Sequence, residues 1–476
     1  MKLKRLLLLA VISFSILNSE VFNGYTLYSP MGNNSVTYLI NNNNAMIRSW
    51  PLPAPIASIS YLLPDSSLLV PLRGTVSWNT QGPMGGRLMR FDWNGNTLWD
   101  FTYVNNDYIP HHDIEPLPNG NVLVVCHERK TQEESVQAGR SNINGEMWPD
   151  KIVEIEPTGS NNGVIVWEWH MWDHLVQDQN PSADNYGVIA DHPELLDINL
   201  GNVGGGGPGG GSSGDWNHVN CVSYNADRDE IVISSRHMNE FYVIDHSTTT
   251  EEAAGHTGGN SGKGGDFLYR WGNPQNYDRG NSQSQQLTAQ HGVNWINPGF
   301  PGAGNFILFN NGGNNSNTSY VYEIVPPLDE DGNYIINDNQ PFGPSSPIWS
   351  YSGGFHSPMQ SGAFRLPNGN TIVTSAQFGY VFEVEMNGTV VWEYNQPQGS
   401  MIARAQKFPM PFNGDPGPSF MLGDTNYDNE LNIYDITFMV DVSLGLNDAN
   451  PPSDYNQDGS VDFSDISSLI NFIMFN

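Results

Sequence analysis

The chain has 476 residues, a formal net charge of -31, 14% charged residues, 50 Gly, 32 Pro, 13 Trp and only 2 Cys. With 38% hydrophobic residues it can bury a sizeable core, which excludes global disorder. A total of 19 Lys and Arg is too few to build a phosphate-binding face, so nucleic acid is not an expected partner.

Lys2, Lys4 and Arg5 precede an apolar run from Leu6 to Leu17, followed by small and polar residues around Asn18 and Ser19. The pattern predicts a secretory signal peptide over residues 1–22 and a secreted or periplasmic mature chain. The run is shorter than the roughly 20 apolar residues a membrane span needs, and no later stretch approaches that length. No Cys lies near the expected cleavage point, so a lipid anchor is not indicated. Cys126 and Cys221 fall on separate predicted strands; a disulfide and two buried free thiols both remain open.

Residues 23–409 are short β-prone runs punctuated by Gly, Pro and Asn, which makes the chain mainly β. A unit recurs: a strand often opened by His, a turn such as LPNG, then two strands, the last ending in a Trp or Tyr pair. Copies start at Tyr61, His111, His218, His291 and His356, and Tyr25 to Trp50 supplies outer strands without a leading one. Ser400 to Phe408 can complete that sixth unit and close a ring. Closing strands at Trp50, Trp99, Trp167, Trp271, Trp349 and Trp392 predict a six-bladed β-propeller. The insert from about Trp172 to Asp215 carries VGGGGPGGGSSG, which reads as a surface loop because it lacks the strand and helix of a phosphate-binding loop.

A Pro- and Gly-containing linker spans 410–422, and residues 423–476 then hold two copies of an acidic loop leading into an apolar helix. Oxygen ligands at loop positions 1, 3, 5, 9 and 12 fall on Asp424, Asn426, Asp428, Asn432 and Asp435, then on Asp454, Asn456, Asp458, Asp462 and Asp465. Glu430 and Ser460 would contribute backbone carbonyls. Ca²⁺ is the expected ligand, because carboxylates this close repel without a cation. Asn429 replaces the usual Gly at position 6 of the first loop, which is therefore expected to bind more weakly.

In a propeller the first strand of each blade lines the central channel, so residues opening those strands converge at one mouth. His111 or His112, His218, His291 and His356 are expected there, with Asn220 on the same side of its strand as His218, and Arg236 and His237 ending the next strand of that blade. A ring of His suits a metal; against that, HxH pairs are missing, and Asn and Arg are poor ligands. The set also suits an oxyanion such as a sulfuryl or phosphoryl group. Phosphoryl chemistry usually adds a divalent metal and a Gly-rich loop, whereas neutral and cationic donors alone can manage a sulfate monoester.

The segments HHDIEPLPNGN, MWDHLVQD, ADHPELLDIN, DWNHVN, IDHSTTTEEAAGHTGG, GKGGDFLYRWGNP, QHGVNW and SGAFRLPNGNT resemble the bacterial aryl-sulfate sulfotransferase family. The resemblance covers most of residues 25–410. It implies a secreted propeller that moves a sulfuryl group from a phenolic sulfate to a phenol, without a nucleotide donor and without a cofactor for the transfer. It places the transiently sulfated nucleophile at His291, sulfate-oxygen donors at Arg236 and Asn220, and further donors or proton shuttles at His112 and His218. His111, His237 and His356 are expected to contact substrate. The N-terminal β-sandwich and the short-range Cys pair of some members have no counterpart.

Residues 423–476 are similar to the type I dockerin, which implies a cohesin-bearing scaffold protein as a possible partner. Two other functions fit the same sequence: a non-catalytic propeller that binds sulfated or phenolic polymers, and a sulfatase with water as acceptor.

Overall fold

The computed structural model describes residues 21–476 apart from 75, 77, 80, 81, 205–213, 313–316, 398, 410–422, 427–430, 448–452, 454, 456–460 and 476. Most of the expected signal peptide, the linker, and Asp428, Glu430, Asp454, Asn456, Asp458 and Ser460 lie outside the described residues.

Six four-stranded antiparallel sheets form the blades of a propeller. The first contains β1 (Tyr25–Tyr28), β2 (Val36–Ile40) and β3 (Met46–Pro51). The second contains β4 (Tyr61–Leu62), β5 (Leu68–Arg73), β6 (Gly86–Phe91) and β7 (Thr97–Thr102). The third contains β8 (Tyr108–Pro116), β9 (Val122–Glu128), β10 (Asp150–Thr158) and β11 (Asn162–His170), with helix α1 (Gln132–Gln137) between β9 and β10. In the insert that follows, β12 (Leu175–Val176) and β13 (Leu196–Asp197) pair in parallel.

The fourth blade contains β14 (Val219–Asn225), β15 (Glu230–Ser235), β16 (Glu240–Asp245) and β17 (Tyr269–Trp271), with the single-turn α2 (Thr250–Ala253) before β17. The fifth is β18 (His291–Trp295), β19 (Phe306–Asn310), β20 (Tyr320–Ile324) and β21 (Trp349–Tyr351). The sixth is β22 (Gly362–Arg365), β23 (Thr371–Ser375), β24 (Tyr380–Val384) and β25 (Val390–Asn395).

Ring closure follows the expected scheme. β26 (Gln406–Phe408) pairs with β1 in the register Tyr25↔Phe408, Thr26↔Lys407 and Leu27↔Gln406, so the last strand becomes the innermost strand of the first blade. Lys407 meets Glu383 of the sixth blade at 2.6 Å with both side chains fully buried, which ties the closing strand to its neighbour.

The turns explain why the strands fold back where they do. In both LPNG turns the Leu amide donates to the Asn that follows Gly, Leu117 to Asn121 and Leu366 to Asn370, each at 2.8 Å. Gly120 and Gly369 sit at φ of 89° and 87°, a conformation a side chain disfavours.

The six closing tryptophans stitch the blades together. Each indole N–H donates to the next blade round the ring: Trp50 to Asp92 O, Trp99 to Asn162 O, Trp167 to Thr248 Oγ1, Trp271 to Pro344 O, Trp349 to Met386 O and Trp392 to Asn42 O, at 2.7–3.2 Å. An indole buries a large apolar face and keeps one donor to satisfy, so it suits a seam between blades.

One expectation is corrected. His356 does not open a strand: it lies in the loop before β22, which starts only at Gly362. Cys126 and Cys221 are both buried and unpaired. None of the described helices is long and apolar enough to cross a membrane. Near the C-terminus α3 (Ile433–Ser443) and α4 (Phe463–Phe475) pack through Met439, Ile466 and Leu469.

Candidate active site

The innermost strands do not run straight into the channel mouth. Pairing slips between Pro110 and Ile114, between Val219 and Cys221, and between His291 and Asn294, so three consecutive blades carry a bulge at the same place. His112 and His218 adopt left-handed backbone, with φ of 56° and 54°, which a non-glycine residue rarely occupies. A bulge re-aims side chains that a regular strand would alternate, and here it brings imidazoles together. The ring centroids of His112 and His218 lie 4.6 Å apart, those of His112 and His291 6.4 Å, and His237 stacks on His218 at 4.7 Å.

The hydrogen bonds fix the tautomers. His291 Nδ1 lies 2.8 Å from Asn311 Oδ1 and 3.0 Å from the Ala289 carbonyl, both acceptors. Nδ1 therefore carries the proton and Nε2 is a lone pair. Burial, then the charge of Arg236, pushes this imidazole well below its usual range, so it is neutral.

His111 donates from Nε2 to Asp150 Oδ1 at 2.6 Å, which leaves its Nδ1 to accept from His112 Nδ1 at 2.7 Å. By elimination His112 Nε2 is also a bare lone pair. Burial, then the nearby histidine charges, holds His112 well below its usual range, and burial takes His111 down to about 4. Since both nitrogens of His111 are occupied and its side chain is fully buried, it orients His112 rather than touching substrate.

His218 Nδ1 pairs with Asp215 Oδ2 at 2.6 Å. Burial opposes the Asp215 charge, but the neighbouring histidines hold the carboxyl well below the usual carboxylate range. His237 Nδ1 donates to Trp216 O at 2.9 Å, and burial takes its ring down to about 4.

Asn220, at the bulge of β14, donates to Gln290 O at 2.7 Å; one amide proton remains, and its Oδ1 is buried without a partner. Arg236 is partly buried, and no side-chain hydrogen bond or ion pair holds it among the described residues. Three other buried guanidinium groups are paired with carboxylates, Arg270 with Glu240, Arg365 with Glu323 and Arg404 with Asp113, and buried Arg140 is held by the Ile198, Leu200 and Gly201 carbonyls. An unpaired guanidinium beside neutral imidazoles is a receptor for an anion.

His291, His218, His112, His111, His237, Asn220 and Arg236 thus lie together at one mouth. His356 does not join them: its only hydrogen bond among the described residues is to Ser319 Oγ at 3.5 Å. The sequence reading missed His127, Asp150, Asp215 and Asn311. His127 stacks on His111 with centroids 3.6 Å apart, and its Nδ1 approaches Asp150 Oδ1 at 2.9 Å without the alignment of a hydrogen bond. Burial works against a charge on His127, yet Asp150 raises its affinity for a proton. A signal was present, because Arg236 and His237 ended the second strand of one blade, and the same repeat position holds His127 in the third and Asn310–Asn311 in the fifth.

Fold and site together define a β-propeller whose mouth is lined by imidazoles and one guanidinium and suits an anionic ester. The family model described as Arylsulfotransferase (ASST) matches residues 65–402. The match covers well over half of the chain, which belongs to the arylsulfotransferase family. Membership implies a sulfotransferase that takes a sulfate donor and a phenol acceptor. No curated protein matches the chain.

Among solved structures the chain is similar to a Bacteroides caccae protein of unknown function, at 11% identity, 82% of this chain, 100% of that chain and a TM-score of 0.42. It is also similar to virginiamycin B lyase from Staphylococcus aureus, at 12% identity, 79% of this chain, 85% of that chain and a TM-score of 0.33.

Proposed function

We propose that the protein transfers a sulfuryl group from a phenolic sulfate ester to a phenol through a sulfo-histidine on His291. The observation that carries this reading is the His291 tautomer: a buried neutral ring with Nδ1–H held by two acceptors and Nε2 bare.

In the first half-reaction His291 Nε2 attacks sulfur, the bond from sulfur to the phenolic oxygen breaks, and its electron pair leaves on that oxygen. His218 enters as the imidazolium paired with the Asp215 carboxylate, delivers its Nε2 proton to that oxygen and is left neutral. In the second, the acceptor phenol attacks sulfur and gives up its proton to His218, and the N–S pair returns to Nε2. Arg236 and the remaining Nδ2 proton of Asn220 hold the sulfate oxygens, while the bare Nε2 of His112 accepts from the hydroxyl of the phenol released in the first half-reaction.

The C-terminal residues fit calcium. Asp435 and Asp465 are fully buried carboxylates at the starts of α3 and α4. Asp435 accepts the Thr425 amide at 2.8 Å on Oδ1 and the Asn432 amide at 2.9 Å on Oδ2. Asp424, Asn426, Asn432, Asp435, Asp462 and Asp465 are the described residues that would hold Ca²⁺, which would neutralise carboxylates buried together. On this reading residues 423–476 are a dockerin-like module, a cohesin is its partner, and the protein acts outside the cytoplasm.

The deciding experiment is incubation of purified protein with 4-nitrophenyl sulfate and a phenol. Nitrophenol release with sulfate transferred to the phenol, parallel initial-rate lines, and loss of release in His291→Ala support the reading. No release by the wild type, or undiminished release by His291→Ala, overturns it. Release without transfer to the phenol makes water the acceptor, and binding without release makes the propeller a binding module.

A further inference from the structure

His174, His256 and Asp266 meet away from the mouth, where the insert after β11 packs against the segment around α2. The nearest ring nitrogens, His174 Nδ1 and His256 Nδ1, each lie 2.8 Å from the same oxygen, Asp266 Oδ1. His174 Nε2 lies 2.8 Å from the Ala253 carbonyl, which can only accept, so Nε2 carries a proton. In a neutral ring that leaves Nδ1 as a lone pair facing a carboxylate oxygen, two acceptors in contact. A cation among the three atoms resolves the conflict, and so does a second proton on His174.

The surroundings favour the cation. The His174 ring is fully buried and stacks on Trp169 with centroids 5.4 Å apart and planes 3° apart, while Trp169 Nε1 donates to Gly265 O at 2.7 Å. A Cβ at Gly265 would lie 2.1 Å from the Ala253 carbonyl and 2.6 Å from His174 Nε2, so only glycine permits this close approach. A ring fixed in plane, with its second N–H on a carbonyl, is how metal-ligating imidazoles are held. His256 and Asp266 also line a cavity of about 760 Å³ together with Glu134, Asp173, Asp184 and Glu194, and no Lys or Arg lines it. The His256 side chain is 60% exposed, which gives an ion a path in.

We propose that His174 Nδ1, His256 Nδ1 and Asp266 bind a divalent transition metal of the zinc class, with a further position open to water in the cavity. Two imidazoles and a carboxylate are a borderline donor set that suits Zn²⁺ and Co²⁺ rather than Ca²⁺. Ligand atoms on one tetrahedral zinc ion lie roughly 3.3 Å apart, so the contacts open by about half an ångström on binding, which the exposed His256 can accommodate. The metal pins the insert that carries His174 to the segment between β16 and β17 that carries His256 and Asp266. Nothing in the sulfotransfer reading uses it.

The test uses full-length protein, stripped with a chelator, returned to excess Ca²⁺ and titrated with Co²⁺ and then Zn²⁺. The wild type is expected to gain the visible absorption of tetrahedral cobalt, to lose it to Zn²⁺, and to melt at a higher temperature with Zn²⁺. His256→Ala, whose exposed side chain the fold does not need, loses one equivalent of metal and the Zn²⁺-dependent rise in melting temperature; nitrophenol release by this variant matches the wild type. Asp266→Asn loses the same equivalent. Absence of stoichiometric Co²⁺ and Zn²⁺ binding by the wild type, or equal uptake by wild type and His256→Ala, overturns the proposal and leaves a protonated His174 between its two acceptors. Metal uptake is read independently of turnover, so failure here leaves the sulfotransfer reading standing.

Discussion

His291 and Asn311 share a 2.8 Å hydrogen bond in which the imidazole donates, and Asn311 is itself locked by donating to Ser357 O and Gln360 O at 2.7 and 3.0 Å. The asparagine cannot turn its amide nitrogen toward the ring without losing both bonds, so the His291 tautomer is set from behind. Replacing it by a carboxylate keeps an acceptor for the ring and adds a charge, while giving up the two bonds to Ser357 and Gln360. Asn311→Asp is expected to stabilise protonated His291 and raise its pKa, so the acidic limb of the kcat/KM profile for 4-nitrophenyl sulfate moves to higher pH. Asn311→Leu removes the acceptor and lowers kcat by about 10²-fold or more, with a smaller change in KM. An unmoved acidic limb in Asn311→Asp would remove His291 as the nucleophile.

Arg236 is expected to act on both binding and reactivity. Among the described residues its guanidinium has no carboxylate partner, and its charge helps keep His291 neutral. Arg236→Met loses charge-assisted bonds worth about 1.5–3 kcal/mol, so kcat/KM falls roughly 10- to 150-fold. The same substitution lets the His291 pKa rise, which shifts the acidic limb upward. A loss of kcat/KM without that shift would separate anion binding from the electrostatic effect on His291.

Acid sensitivity follows from the imidazoles the fold buries in neutral form. His111 and His237 are down to about 4, and His112 and His291 lie well below their usual range, all chiefly through burial. Between about pH 6.5 and 4 the unfolded chain takes up protons at these four sites that the folded chain refuses, so stability falls as pH falls. Glu115 works the other way: burial pushes it up to about 8, so its contribution shrinks as pH rises toward 8. Burial also raises Asp113, Asp173, Asp197 and Glu230, but these titrate from lower starting values, so the four imidazoles dominate between pH 6.5 and 4 at about 1.4 kcal/mol per pH unit for each uncompensated proton. Above pH 6.5, His170, raised to about 9 by the carboxylates of Glu128 and Glu168 against its burial, loses a stabilising charge as pH rises. Urea midpoints measured from pH 4 to 9 should therefore peak near 6.5, and a midpoint that stays flat on acidification would contradict the neutral imidazole cluster.

Cys126 and Cys221 are fully buried, and burial pushes both thiols far above their usual range. Neither can supply thiolate at neutral pH. A thiol reagent should label no cysteine in the native protein and both in urea, without any reductant. Labelling that requires reductant would mean the two are paired.

The propeller was legible because its repeat writes the same chemistry six times. A closing Trp is needed wherever one blade must bury an edge and donate one hydrogen bond to the next, and all six sequence positions fill that place. The cluster of imidazoles around His291 was legible for a related reason, since the start of each inner strand faces the mouth. Asp150 was not, because α1 and its loops separate it from His127, and only strand pairing brings Asp150 opposite His127. Its second oxygen accepts the Val219 amide at 2.6 Å, so one carboxylate spans two blades, a relation no local pattern encodes. His356 failed for the opposite reason: it matched the repeat in type, but the loop before β22 holds it six residues short of its strand.

The C-terminal helices supply the last test. Asp435 and Asp465 have no exposed surface, and each accepts the amide of the residue three positions earlier, Asn432 and Asp462, at 2.9 Å. A carboxylate at the third position of a helix caps its amides, but complete burial of a charge costs several kcal/mol unless a cation or further donors share it. The helices themselves bury little: Met439, Ile466 and Leu469 form their small core, while Phe463, Leu444 and Met474 stay exposed. Folding of this segment should therefore depend on the ion. Chelation with EGTA is expected to lower the helical circular dichroism of the full chain and to abolish a low-temperature melting step that returning Ca²⁺ restores. Nitrophenol release should be unchanged, because no residue of the mouth lies in this segment. Asp435→Ala and Asp465→Ala should each weaken Ca²⁺ binding by at least tenfold. Helicity and melting that ignore EGTA would show that the acidic loops fold without calcium, and the dockerin reading would fall with them.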